Sequence, residues 1–207
     1  KDRSHTEETN MANKDAAFGL RPLKTVGQQD DSTGMSSYNI NPGDASVIFQ
    51  GALVGSPATG TGYIDLQTAG LVLNLGAFWG CFYNDPTTLK PTFKNYYPGS
   101  ITPPASGTVE AFVYDSPSQM YEIQSDNAGA SAQADIFKCA DLVGVSGSTL
   151  NGVSSMEFDD GTLGTTGQFK IIGVSRDPEN NDIASANVNW RVMVNEHLLG
   201  SGSAGAA

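Results

Sequence analysis

Polar and hydrophobic positions alternate most regularly over 187–195, where Val188, Trp190, Val192 and Val194 take one face and Asn189, Arg191, Met193 and Asn195 the other. A period of two puts successive side chains on opposite sides of a strand, so this segment is predicted to be a core strand. The same period runs from Thr108 to Tyr114, with Val109, Ala111 and Val113 opposed to Thr108, Glu110, Phe112 and Tyr114. After Asp115-Ser116-Pro117-Ser118, the run 119–124 sets Tyr121 and Ile123 on one face, which predicts a hairpin over 108–124. Residues 169–174 predict a further strand.

Upstream the predicted strands are shorter and closely spaced between Gly, Pro, Asn and Asp. Residues 46–49 and 52–54 flank Gly51 and read as a bent strand or bulge, followed by 60–66. Residues 71–83 read as two strands kinked near Gly76, and 84–104 as a long loop with five prolines carrying Phe93, Tyr96 and Tyr97. Residues 134–143 suit a short helix, with Ile136, Phe137 and Ala140 on one side, or a strand. From Ala12 to Asp44 apolar residues are isolated, so an extended arm is expected. Its exception is the apolar plug Phe18-Gly19-Leu20-Arg21-Pro22, which suits docking on a neighbouring subunit and packing on its own domain equally.

The expected fold is mainly β, a β-barrel or sandwich of short antiparallel strands with an extended N-terminal arm and at most one or two short helices. The arm spans 1–45, the β domain 46–199, divisible into subdomains 46–107 and 108–199, and a flexible Gly/Ser/Ala tail 200–207. Composition agrees, because 39% hydrophobic and only 16% charged residues leave polarity to Gly, Ser, Thr, Asn and Gln, a balance that favours turn-rich β structure.

Charge narrows the partners. The net charge is −11, and no Lys or Arg occurs between Lys24 and Lys90, so nothing there would neutralise phosphates and no nucleic-acid partner is expected. No membrane partner is expected either, since the longest apolar run, 70–83, is too short to span a bilayer and is broken by Asn74 and glycines. Cys81 and Cys139 sit in apolar contexts and read as two buried free thiols.

Little in the chain resembles reactive chemistry. His197 is the one histidine outside the first ten residues, which disfavours a His-rich zinc site or a Ser-His-Asp triad. Glu110, Glu122, Glu157, Asp159 and Asp160 could supply a glycosidase's two carboxylates, but solvated strand and turn positions are the favoured reading. The acidic turn 177–182 lacks Gly at the sixth position of a calcium loop and has Val188 at the twelfth. No catalytic residue, cofactor or metal site is assigned, and the chain is expected not to be an enzyme.

Three stretches carry a family resemblance: Met11 to Pro22, the aromatic run Phe78-Trp79-Gly80-Cys81-Phe82-Tyr83-Asn84-Asp85-Pro86, and 90–100, Lys90-Pro91-Thr92-Phe93-Lys94-Asn95-Tyr96-Tyr97-Pro98-Gly99-Ser100. Over roughly half the chain, their texture resembles structural head proteins of tailed bacteriophages, especially marine ones. The resemblance implies a capsid decoration or cement protein; for such a protein the acidic charge points to the capsid exterior of the virion, and with no signal peptide visible the chain is expected to be made in the host cytoplasm. Its implied partners are the major capsid protein and other copies of itself, with a trimer favoured. Tail or baseplate component and glycan-binding module are the alternatives. Candidate interface residues are Phe18, Leu20, Arg21 and Pro22 of the plug and Phe93, Tyr96 and Tyr97 of the proline-rich loop. Within the same reading Met11 looks like a translation start, because Glu7-Glu8 can be encoded as a purine-rich ribosome-binding site. Residues 1–10 are then an untranslated leader, the other reading being a charged disordered one.

Overall fold

The computed structural model describes residues 12–26, 34–57, 59–71, 73–126 and 131–200. The leader at 1–10, Met11 and the tail from 201 onward lie outside them. The strands are β1 (Arg21–Thr25), β2 (Ser36–Ile40), β3 (Leu53–Gly55), β4 (Asp65–Leu66), β5 (Asn74–Asn84), β6 (Pro91–Lys94), β7 (Val109–Tyr114), β8 (Gln119–Gln124), β9 (Cys139–Ala140), β10 (Leu142–Val143), β11 (Glu157–Phe158), β12 (Phe169–Val174) and β13 (Asn189–Val194). Helical structure among the described residues is confined to single 3-10 turns at Pro104–Ser106, Gln133–Asp135 and Asp160–Thr162.

Two antiparallel sheets contain most of these strands. The five-stranded sheet runs β1-β8-β13-β12-β9, and the six-stranded sheet β2-β7-β5-β3-β4 with β6 also on β5. Neither closes into a barrel, so the mainly β fold is the open, sandwich-like alternative. Their inner faces share one apolar core that includes Phe78, Val113, Tyr121, Ile171 and Trp190. Val188, Trp190, Val192 and Val194 are all buried as the alternation predicts. Asn189, expected to face out, is also buried, because the outer face of this sheet is itself partly covered.

The segment 108–124 does not form a hairpin. β7 pairs with β2 and β5, whereas β8 pairs with β1 and β13 in the other sheet. Residues 115–118 therefore cross between sheets, and the Tyr121 hydroxyl donates back to the Tyr114 carbonyl at 2.6 Å. Alternation fixes which face of each strand is buried but not which strand lies beside it. Here the two apolar faces meet across the core.

The two strands expected over 71–83 are one. β5 runs over eleven residues, with register irregularities beside Gly76, where Leu75 is the extra residue against Val54 and Gly55, and between Phe78 and Gly80. Gly76 is required by proximity, since a Cβ there would collide with the Tyr114 carbonyl. Residues 134–143 resolve into a 3-10 turn followed by β9 and β10.

The N-terminal arm is part of the domain over its described length. β1 and β2 are edge strands of the two sheets, and Leu20 is fully buried in the core with its N–H donating to the Gly51 carbonyl at 2.7 Å. Gly19 has φ +70 and packs so closely that a Cβ would sit 2.6 Å from the Gly51 oxygen. Asn13 donates to the carbonyls of Asp182 and Ala186, and Gln124 and Asn180 both donate to that of Lys14. Division into 46–107 and 108–199 also fails, because β7 belongs to the sheet built mainly from the first half. A buried amide ties the sheets at one end: Gln168, just before β12, directs Nε2 at the Thr68 and Leu71 carbonyls and Asn74 Oδ1 at the start of β5, while its Oε1 accepts from Leu142 N.

These contacts set the expected stability effects. Leu20→Ala should cost about 2–5 kcal/mol and Trp190→Ala about 3–5 kcal/mol in urea denaturation, the ranges for emptying a buried aliphatic or large aromatic site. A chain lacking 12–44 should fail to give a cooperative unfolding transition, whereas a truly detached arm would leave it unchanged.

Candidate functional site

The seven residues expected at an interface separate into three environments. Leu20 belongs to the core, as does Tyr97, whose N–H and carbonyl pair with Ile48 and whose hydroxyl donates to the Asp44 carbonyl at 3.0 Å. Phe18 is half-buried with the Arg21 guanidinium 4.1 Å from its ring centroid, and Pro22 is half-buried in β1. The plug thus closes on its own chain, leaving Arg21 the exposed member. Tyr96 is half-buried, stacked on Phe49 at 5.8 Å with Lys94 over its ring. Phe93, Tyr96 and Tyr97 therefore do not share one exposed face.

Phe93 alone projects, 61% exposed, and the register surrounds it with two aromatics absent from the sequence expectation. β5 and β6 pair Phe82 with Phe93, while β5 and β7 pair Phe82 with Glu110 and Gly80 with Phe112. Direct cross-strand partners lie on one face, and here it is the outer face, since Cys81 and Val113 point into the core. Gly80 makes the arrangement possible: a Cβ there would come within 2.7 Å of the Phe93 ring. Phe93 consequently lies over the strand, 6.2 Å from Phe112 at 41°, while Phe82 is 40% exposed alongside. An outer sheet face normally carries polar residues. Phenylalanines at outward positions on three neighbouring strands form an apolar surface of the kind that marks an interaction site.

The candidate carboxylates do not form one constellation. Glu110 is on the outer face beside Phe82, whereas Glu122 is on the other sheet, paired with Arg21 at 3.0 Å. Asp159 accepts from Gly161 N at 2.8 Å and caps the short turn. Burial lifts Glu157 to about 7, with the charges of Asp15 and Asp126 adding to it. Burial also lifts Asp160 to about 6; Asp126 adds to the shift, and the Ser125 and Ser131 hydroxyls and Trp190 indole oppose it. His197 is buried, accepts from Leu199 N through Nδ1, and has its pKa lowered mainly by burial. Cys81 and Cys139 are buried and free, with burial pushing the Cys81 thiol up to about 12. Among the described residues, no group of three or more His, Cys, Asp or Glu is placed to hold a metal ion, and no helix is long and apolar enough to cross a membrane.

Because the folded-state pKa of Asp160 exceeds its unfolded value, the native state holds a proton that the unfolded chain has released between about pH 4 and pH 6. Its contribution is therefore lost as pH rises through that window. His197 works in the opposite direction, so the comparison must be with a variant: Asp160→Asn should gain stability relative to wild type between pH 5 and pH 7.5, read from urea midpoints. A constant difference would mean that Asp160 titrates normally.

No protein-family model, curated protein or solved structure matches the chain.

Proposed function

We propose that this chain is a virion structural protein that attaches non-covalently to the outside of a tailed-phage capsid and stabilises the head by bridging capsid subunits. The observation that carries the reading is the Phe82–Phe93–Phe112 surface on the six-stranded sheet. Rings held in place by register and by the Gly80 slot lose little entropy on docking, and aromatics buried at an interface centre contribute most of its energy. The sequence resemblance supplies the partner, the major capsid protein, and self-association as a trimer is consistent with capsid symmetry. A net charge of −11 suits an exterior position, away from the genome. Stabilisation follows from mass action: a protein that binds the assembled shell and not its separated subunits shifts the equilibrium toward the shell.

Two measurements test this. Quantitative mass spectrometry of purified particles should find the chain in a fixed ratio to the major capsid protein; the low ratio of a tail component would overturn the capsid assignment. In a rebinding assay on stripped heads, Phe93→Ala should weaken attachment about thirtyfold, equivalent to about 2 kcal/mol, without changing the circular dichroism. Unchanged rebinding would place attachment elsewhere on the molecule.

A further inference from the structure

Cations in this acidic chain converge on one place. Among the described residues the arginines are Arg21, Arg176 and Arg191, and all three line a single cavity of about 470 Å³, joined by Lys24. The register accounts for part of this convergence. Arg21, Glu122, Arg191 and Gly173 are successive partners across β1, β8, β13 and β12, so they stand in a row on the outer face of the five-stranded sheet. Arg191 is oriented by an Nε bond to the Val174 carbonyl at 2.9 Å, and its guanidinium lies where a Cβ at residue 173 would meet Nη2 at 2.7 Å.

Charge within the cavity is unbalanced. Four cations face the carboxylates of Glu122 and Asp177. Glu122 is already engaged by Arg21, by the Ser175 hydroxyl and by Asn189 at 3.5 Å, and Asp177 accepts from Glu179 N at 3.1 Å. The Lys24 and Arg176 side chains make no hydrogen bond or ion pair among the described residues. Gathering like charges raises the free energy of the folded chain, and an anion entering the cavity relieves that repulsion. Guanidinium forks match a carboxylate in the bidentate manner, while Leu23 and Met120 offer apolar wall to an aliphatic stem.

We propose that this cavity is a docking site for a carboxylate side chain presented on an extended acidic segment of another protein chain. A peptide is favoured over an acidic glycan by the edge beside the cavity: β1 is the outermost strand of its sheet, with no strand on its far side among the described residues. An extended segment can add there through main-chain hydrogen bonds, a mode closed to a sugar, although Pro22 withholds one donor. The site lies on the sheet opposite the phenylalanine surface, and the proposal rests on the attachment reading only in making the donor a virion subunit.

The test needs no particle, so its failure would leave the phenylalanine surface untouched. The full chain would be titrated, by fluorescence anisotropy, against a labelled, end-capped ten-residue peptide of alternating Thr and Glu. Saturable binding is expected, weakened about tenfold by the Gln counterpart of that peptide, and weakened comparably by the double variant Lys24→Ala/Arg176→Ala. Their side chains make no hydrogen bond or ion pair among the described residues and their charges repel, so the variant should unfold at or above the wild-type denaturation midpoint, and Arg176→Lys should bind with intermediate strength. Lack of binding, equal binding of the Gln peptide, indifference to the double variant, or preferential binding of oligogalacturonate would each overturn the proposal.

Discussion

The apolar inner faces of the two sheets have to close on one another, and every other feature of the molecule is arranged around that closure. Residues 115–118 impose it by delivering β7 to one sheet and β8 to the other, so that Val109, Ala111 and Val113 confront Tyr121 and Ile123 across the core rather than beside them. The Tyr121 hydroxyl, fully buried with its ring, finds its acceptor in the Tyr114 carbonyl at the mouth of the same turn. At one end of the sandwich Gln168, just before β12, bonds to the Asn74 side chain at the start of β5 and to the Thr68 and Leu71 carbonyls, so one buried amide joins the two sheets.

With the interior committed to closure, the outer faces are what the molecule presents to its surroundings. They differ in chemistry: the six-stranded sheet displays phenylalanines next to Glu110, and the five-stranded sheet a ladder of alternating charge. Both patterns depend on glycine at a cross-strand position. Gly80 admits the Phe93 ring, and Gly173 admits the Arg191 guanidinium. In each case the missing side chain leaves room for a large outward group to lie close over its own sheet, which limits the orientations open to it.

Much of this was legible in the alternation of β7, β12 and β13, because each has one face in the core and the period of two survives intact. The arm was misread for a physical reason: edge strands at the rim of a sandwich bury few side chains, so β1 and β2 have the composition of disordered segments although their backbones are paired. Of the three outward phenylalanines, Phe112 carried a usable signal, an aromatic at an outward position. Phe93 was identified for its loop, and its partner Phe82 was concealed in the long apolar run of β5. The cavity had no local signal at all, since Lys24, Arg176 and Arg191 come together only through strand order.

The N-terminal segment also has a temporal consequence. Arg21 pairs with Glu122, and Asn13 with Asp182 and Ala186, so these residues, synthesised ahead of their partners, must wait for positions more than a hundred residues later. Such long loop closures are slow, and an unpaired strand is an opportunity for the wrong neighbour. A β1 rich in apolar residues would be hazardous during that delay. Asn13, Lys14, Asp15, Arg21 and Lys24 instead keep the waiting segment hydrated, and Pro22 spoils it as a template for premature pairing. The sparse hydrophobicity that makes this stretch look unstructured is thus what lets it remain available until the sandwich is ready to receive it.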